Sequence, residues 1–176
     1  MTGYARAVDV YREIRTALGP WFKENGYSRR KGSNEPGWVL KKFGAWFRVN
    51  AWGGGFMGGS SFYGILEITE GANVRSRDIS LCLTQPELDE LREIQNAINR
   101  RRPRTPETEA WMREKSDVGE HTRDMYGQYA AGEKPYRVGD IAAFGYFSVA
   151  DVRFHTGFLA RHMPQVVARS SEGQLF

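Results

Sequence analysis

Ala45-Trp46-Phe47-Arg48-Val49-Asn50-Ala51-Trp52 is the stretch that decides the fold. In an extended chain, alternate side chains point to opposite faces, so Trp46, Arg48, Asn50 and Trp52 share one face and Phe47, Val49 and Ala51 the other. The second set is wholly apolar and is the better core face. Runs of the same β character flank it at Trp38 to Phe43 and Ser61 to Thr69, separated by Gly-containing turns. A shorter strand at Tyr27 to Lys31 is expected to pair with the next across Gly32-Ser33-Asn34-Glu35-Pro36-Gly37. In the last run Phe62, Gly64, Leu66 and Ile68 alternate with Ser61, Tyr63, Ile65, Glu67 and Thr69. Both sets are partly apolar, which predicts a sheet covered on both sides near its centre.

Helical patterns lie on either side of this meander. Tyr4, Ala7, Val8, Tyr11, Ile14 and Leu18 recur in steps of three and four, an amphipathic stripe. Gly19-Pro20 is expected to interrupt it, with a short helix restarting over Pro20 to Asn25 and stopping at Gly26. After Gly71 the chain is read as helical. Asp78 to Leu83 is ambiguous, and Thr84-Gln85-Pro86-Glu87 is a start signal leading into the stripe Leu88, Leu91, Ile94, Gln95 and Ile98. Thr105-Pro106-Glu107-Thr108 opens a polar helix to about Ala131, bent or split around Ser116, Asp117 and Gly119. Ser148-Val149-Ala150-Asp151 is a capping box for a final helix, with a frayed tail at 170–176. The prediction is therefore a single α+β domain over 1–169: an N-terminal helix, an antiparallel β-meander of about four strands, then several C-terminal helices packing on the sheet.

The 176 residues suffice for one core, with about two-fifths of them apolar. Charged residues break the N-terminus every few positions, and no stretch has the length of a membrane span, so a cytoplasmic protein is expected. The single cysteine, Cys82, lies among apolar neighbours and reads as a small buried hydrophobe. Lys and Arg number 25 against 21 Asp and Glu, a net charge of +4. That excess is too small to argue for nucleic acid unless it is concentrated. Arg29-Arg30-Lys31 and Arg100-Arg101-Arg102-Pro103-Arg104 are the two concentrations. The second also reads as cations gathered at a helix C-terminus, where the dipole favours them.

The motifs that suggest chemistry fail on their context. Gly53-Gly54-Gly55-Phe56-Met57-Gly58-Gly59 contains a G-x-G-x-x-G, but strand residues rather than a helix follow it, so it reads as a hairpin loop with Phe56 and Met57 at its tip. His155 and His162 stand seven apart on the last helix, and His121 is isolated. Asp151 and His155 read as an ordinary i,i+4 pair, and no third convergent ligand completes a metal site. Asp89/Glu90 and Glu107/Glu109 sit at helix starts, where the dipole accounts for them. No metal and no cofactor is expected. The best binding surface is an aromatic face of Trp46, Trp52 and Trp38 beside Arg48, Asn50 and the Arg29-Arg30 pair, although burial is the commoner fate of tryptophan.

Leu18-Gly19-Pro20-Trp21-Phe22-Lys23-Glu24-Asn25-Gly26-Tyr27-Ser28-Arg29-Arg30, Trp46-Phe47-Arg48-Val49-Asn50 and Tyr146-Phe147-Ser148-Val149-Ala150-Asp151-Val152 together resemble an uncharacterised bacterial family, domain of unknown function 4304. The resemblance implies a helix, a β-meander and a terminal helix opened by an acidic capping box. It carries no catalytic residue set, and the glycine-rich hairpin departs from the family pattern. Small bacterial domains of this kind often accompany toxin or defence loci, which implies an immunity or accessory protein.

Two functional readings stay open. The first is a non-catalytic protein-binding module using Arg48, Trp52, Phe56 and Met57 around the 53–59 loop. The alternative is nucleic-acid binding through Arg29, Arg30, Lys31, Arg100, Arg101, Arg102 and Arg104. An enzyme of unknown type ranks third.

Overall fold

The computed structural model describes residues 5–50, 60–101 and 144–171. Helix α1 runs over Ala7–Glu24. Its stripe of Val10, Ile14, Leu18 and Phe22, four residues apart, is fully buried. Contrary to the expected break, the helix continues through Pro20. Proline inside a helix costs about 3 kcal/mol. Burial of Phe22 and much of Trp21 returns about 2–3 kcal/mol each, and only if the last turn stays helical. The stop at Gly26 is as expected. Gly26 takes a positive φ of 81°, its N–H donates to Lys23 O at 3.1 Å, and the Tyr27 N–H donates to Phe22 O at 2.9 Å. Those two bonds turn the chain out of the helix and into the sheet.

Among the described residues the sheet has six strands: β1 (Ser28–Arg29), β2 (Gly37–Leu40), β3 (Phe43–Asn50), β4 (Ser60–Glu70), β5 (Asn73–Asp78) and β6 (Phe144–Tyr146). The first five are neighbours in chain order, and every pairing is antiparallel. Two of the six correct the sequence reading. The chain after Gly71 is strand, not helix: Gly71, with a φ of 63°, turns it back so that Asn73 to Asp78 pairs with Glu70 to Ile65. β6 pairs with Ser60 to Phe62, farther along the same edge of β4. The β2–β3 turn also sits earlier than expected, at Lys41 with a φ of 53°, so that Gly44 lies inside β3.

A short 3-10 helix, Ile79–Cys82, follows β5 and is opened by Asp78, whose side chain accepts from the Ser80 N–H at 2.8 Å. Helix α2 covers Gln85–Arg100 and helix α3 Val149–Ser171, which takes the last helix past the point where a frayed tail was expected. Residues 172–176 of that tail, the 53–59 hairpin and the polar helix of 105–131 lie outside the described residues. Both expected start signals cap their helices, and that of α3 closes as a full box. Glu87 accepts from the Thr84 N–H at 2.6 Å, and Asp151 accepts from the Ser148 N–H at 2.9 Å and the Phe147 N–H at 3.1 Å.

Among the described residues, one face of the sheet shares a core with α1, α2 and α3. Trp38, Phe43, Ala45, Phe47, Phe62, Leu66, Phe144 and Tyr146 pack there with Val10, Ile14, Leu18 and Phe22 of α1, Leu88 and Leu91 of α2, and Val152, Phe158, Leu159 and Met163 of α3. The register sets Phe47 opposite Gly64. A Cβ at Gly64 would stand 2.4 Å from Ile79 Cδ1 and 2.7 Å from Phe47 Cε1, so only glycine lets these side chains meet. Tertiary ion pairs tie the helices together: Arg153 of α3 reaches Glu13 of α1 at 3.0 Å, and Arg169 of α3 reaches Glu87 of α2 at 2.8 Å.

Candidate functional site

The odd-numbered positions of β4 and the even-numbered positions of β3 form the sheet face turned away from this core. Trp46 is at its centre. Across the strands it faces Gly37 of β2 and Ile65 of β4, and its ring meets Tyr63 edge-on with the centroids 6.1 Å apart. The guanidinium carbons of Arg48 and Arg30 lie over the same indole, 5.1 and 5.4 Å from its centroid. Gly37 makes this close approach possible, since a Cβ there would be 3.1 Å from Trp46 Cβ and 3.2 Å from Arg30 Cβ. The indole Nε1 is buried with no acceptor among the described residues.

Arg48 is held in place. Its Nε and Nη2 donate to the two carboxylate oxygens of Glu35, at 2.6 and 3.4 Å. The hydrogen bond and attraction of Glu35, with Tyr63 as a second partner, raise the Arg48 pKa above its ordinary value. The charge is permanent but locally balanced. Val39 adds an exposed apolar side chain to the same face.

The structure separates the other expected site residues. Trp38 does not belong with Trp46. It is 6 % exposed on the core face and stacks on Phe22 with the centroids 4.5 Å apart and the planes 8° from parallel. Arg29 is in register with Trp38, and so lies on the helix side of the sheet, whereas Arg30 crosses to the Trp46 side. Lys31 follows, exposed. Of the second basic cluster, Arg100 ends α2, while Arg102 and Arg104 lie outside the described residues, as do Trp52, Phe56 and Met57. Arg101 donates to Ala97 O at 3.2 Å and to Asp151 at 3.4 Å, and covers the ring of Phe154. It closes the end of α2 and ties it to α3, the role the helix dipole favours.

His155 and His162 have separate surroundings, and His121 lies outside the described residues. His155 is fully buried and does not pair with Asp151 as the sequence spacing suggested. Its Nε2–H donates to Gly145 O at 2.8 Å, its ring lies edge-on to Phe62 and Phe144, and Nδ1 has no partner among the described residues. Burial pushes its pKa down to about 4, against the smaller opposing effects of the Gly145 carbonyl and the Asp151 charge, so the ring is neutral. Gln95 completes this arrangement. Its side-chain amide accepts from the Gly145 N–H at 3.1 Å and donates to Gly145 O at 3.4 Å, as a neighbouring strand would. The His162 Nε2–H donates to Glu90 Oε2 at 2.7 Å, and Nδ1 lies 3.5 Å from Glu87. Burial works to raise the Glu90 pKa, but hydrogen bonds from Arg161 and His162 outweigh it and hold the carboxyl below its usual value. Burial raises the Cys82 thiol, which does not favour a nucleophile.

Among the described residues no three His, Cys, Asp or Glu side chains converge as a metal site would require, and no helix is long and apolar enough to cross a membrane. Compared with protein-family models, curated proteins and solved structures, the chain gives no significant match. Sequence reasoning found Trp46 and Arg48. It missed Tyr63, Glu35 and the Gln95–Gly145–His155 arrangement. Tyr63 was legible in the alternation of β4. Glu35 was not, because it sits in a loop thirteen positions from Arg48.

Proposed function

We propose that this chain is a non-catalytic protein-binding module, an immunity or accessory protein of the kind associated with domain of unknown function 4304, and that it works in the cytoplasm. The single observation that carries this reading is the group of Trp46, Tyr63, Arg30 and Arg48 on the sheet face turned away from the core. Tryptophan, tyrosine and arginine are the residues in which binding energy at protein interfaces concentrates. Trp46 and Arg48 arrive at this surface already ordered by Gly37 and Glu35, so little side-chain freedom is left to lose on association.

The nucleic-acid alternative receives less support. Stacking a base on Trp46 would displace guanidinium groups that already cover the ring, and the cation of Arg48 is balanced by Glu35. Arg101, from the other basic cluster, is engaged with Asp151.

Affinity purification of the tagged full chain from its native cells tests the proposal. A discrete protein partner is expected whose retention falls at least about tenfold in Trp46→Ala and Tyr63→Ala, with the thermal midpoint of folding near that of the parent. Recovery of RNA or DNA in place of a protein, with retention collapsing as salt rises, overturns it in favour of the alternative.

A further inference from the structure

The rim of this surface shows what the partner must offer. Resting on the reading above, we propose that a carboxylate-rich, extended segment of a protein partner docks along the edge of β1 that no described strand pairs with, beside Arg29, Arg30 and Lys31. Two independent observations carry it.

The first is charge. Arg29, Arg30 and Lys31 are consecutive, and none forms an ion pair with a described residue. Cations crowd this corner: burial, and then the Arg29 charge, push the pKa of Arg15 down, and the Arg15 side chain spends its hydrogen bond on the backbone carbonyl of Asn34. Glu35, in the loop that follows, is committed to Arg48. Carboxylates from outside would relieve this repulsion and find donors in place.

The second is the main chain. β1 is the terminal strand of the sheet path. The Arg30 N–H donates inward to Gly37 O at 2.9 Å. By the alternation of an antiparallel pair, the N–H and C=O of Arg29 point outward, away from β2. An extended peptide can take that edge as a further strand. Its successive side chains would then fall on opposite faces, where adjacent carboxylates meet Arg29 on the helix side and Arg30 on the Trp46 side. A nucleic-acid backbone needs cations in a row along one face and has no main chain to pair with this edge. The alternating placement of Arg29 and Arg30 therefore favours a peptide.

The test uses the full chain and a fluorescein-labelled peptide, Thr-Val-Glu-Glu-Val-Glu-Glu-Thr, followed by fluorescence anisotropy. Its all-glutamine counterpart and an oligouridylate of similar length serve as comparisons. The glutamate peptide is expected to bind saturably, at least about tenfold more tightly than the glutamine peptide. The double variant Arg29→Gln/Lys31→Gln, both positions exposed, is expected to lose most of that affinity, as is Arg30→Gln, with unchanged circular dichroism. Equal binding of the two peptides, or undiminished binding by the variants, overturns the proposal. So does binding of the oligouridylate alone, which points instead to a nucleic acid. Failure here, together with a protein partner that depends on Trp46, would sink the acidic segment but leave the protein-binding reading standing.

Discussion

At the scale of single residues, two positions have consequences that can be measured directly. Gly64 is the contact point between β4, Phe47 and Ile79, with no room for a methyl group. Gly64→Ala is expected to destabilise the fold by about 2–3 kcal/mol through overpacking, read as a lowered urea midpoint, whereas alanine at Gly44, where a Cβ meets ordinary contacts, is expected to cost under about 1 kcal/mol. His155 imposes a pH dependence. Its pKa lies near 4 in the folded protein and near 6.5 when exposed, so the unfolded chain takes up the proton first as pH falls. The stability tied to this group is fully present above pH 6.5 and declines toward pH 4, by a total of about 3 kcal/mol. Urea unfolding at stepped pH should show that decline, and His155→Gln should flatten it. A slope that His155→Gln leaves unchanged would mean that the ring takes up its proton equally readily in the folded and unfolded chain. Neither effect was legible in the sequence. Gly64 reads there as one more strand position, and His155 pairs with Asp151 on paper. The real partners, Ile79 and Gly145, are brought in by the sheet and by β6.

At the scale of elements, the helix ends were the most legible part of the chain because capping is local chemistry. Ser148 and Asp151 stand three residues apart, and the structure closes both bonds of the box: the Asp151 N–H donates to Ser148 Oγ at 3.3 Å, and the carboxylate takes the Ser148 N–H. Asp151 also accepts from Phe147 and Arg101, and it is buried. Asp151→Ala should therefore cost about 2 kcal/mol, above a typical cap, and Asp151→Asn less, as thermal unfolding would show. Equal losses in the two variants would mean that the charge, not the acceptor geometry, does the stabilising. Strands β5 and β6 were illegible for the opposite reason. Asn73-Val74-Arg75-Ser76-Arg77-Asp78 is an exposed edge strand with no apolar alternation, and Phe144-Gly145-Tyr146 is too short to show a period. Each is a strand only because β4 offers an edge to pair with. The uninterrupted α1 has the same cause, since its local sequence favours a break and its tertiary burial prevents one.

At the scale of the whole molecule, the cap of α2 doubles as a joint between helices. Glu87 accepts from Thr84 and from Arg169, 82 positions away, and Arg169 also donates to Cys82 O at 3.1 Å. A double-mutant cycle of Glu87→Gln and Arg169→Met is expected to give a coupling of about 1–2 kcal/mol, because both side chains are largely buried. A coupling near zero would reduce Glu87 to its local cap. The β-meander, the three buried helical stripes, the two helix start signals and the α+β class were determined by the sequence itself. They depend on periodicity and on contacts within a few residues, and both can be read along the chain. Tertiary structure alone decided which tryptophan faces the core, how Arg29 and Arg30 part to opposite sides of the sheet, and that Arg48 finds Glu35. Those outcomes depend on register and strand order, and one residue of slip would exchange the two faces.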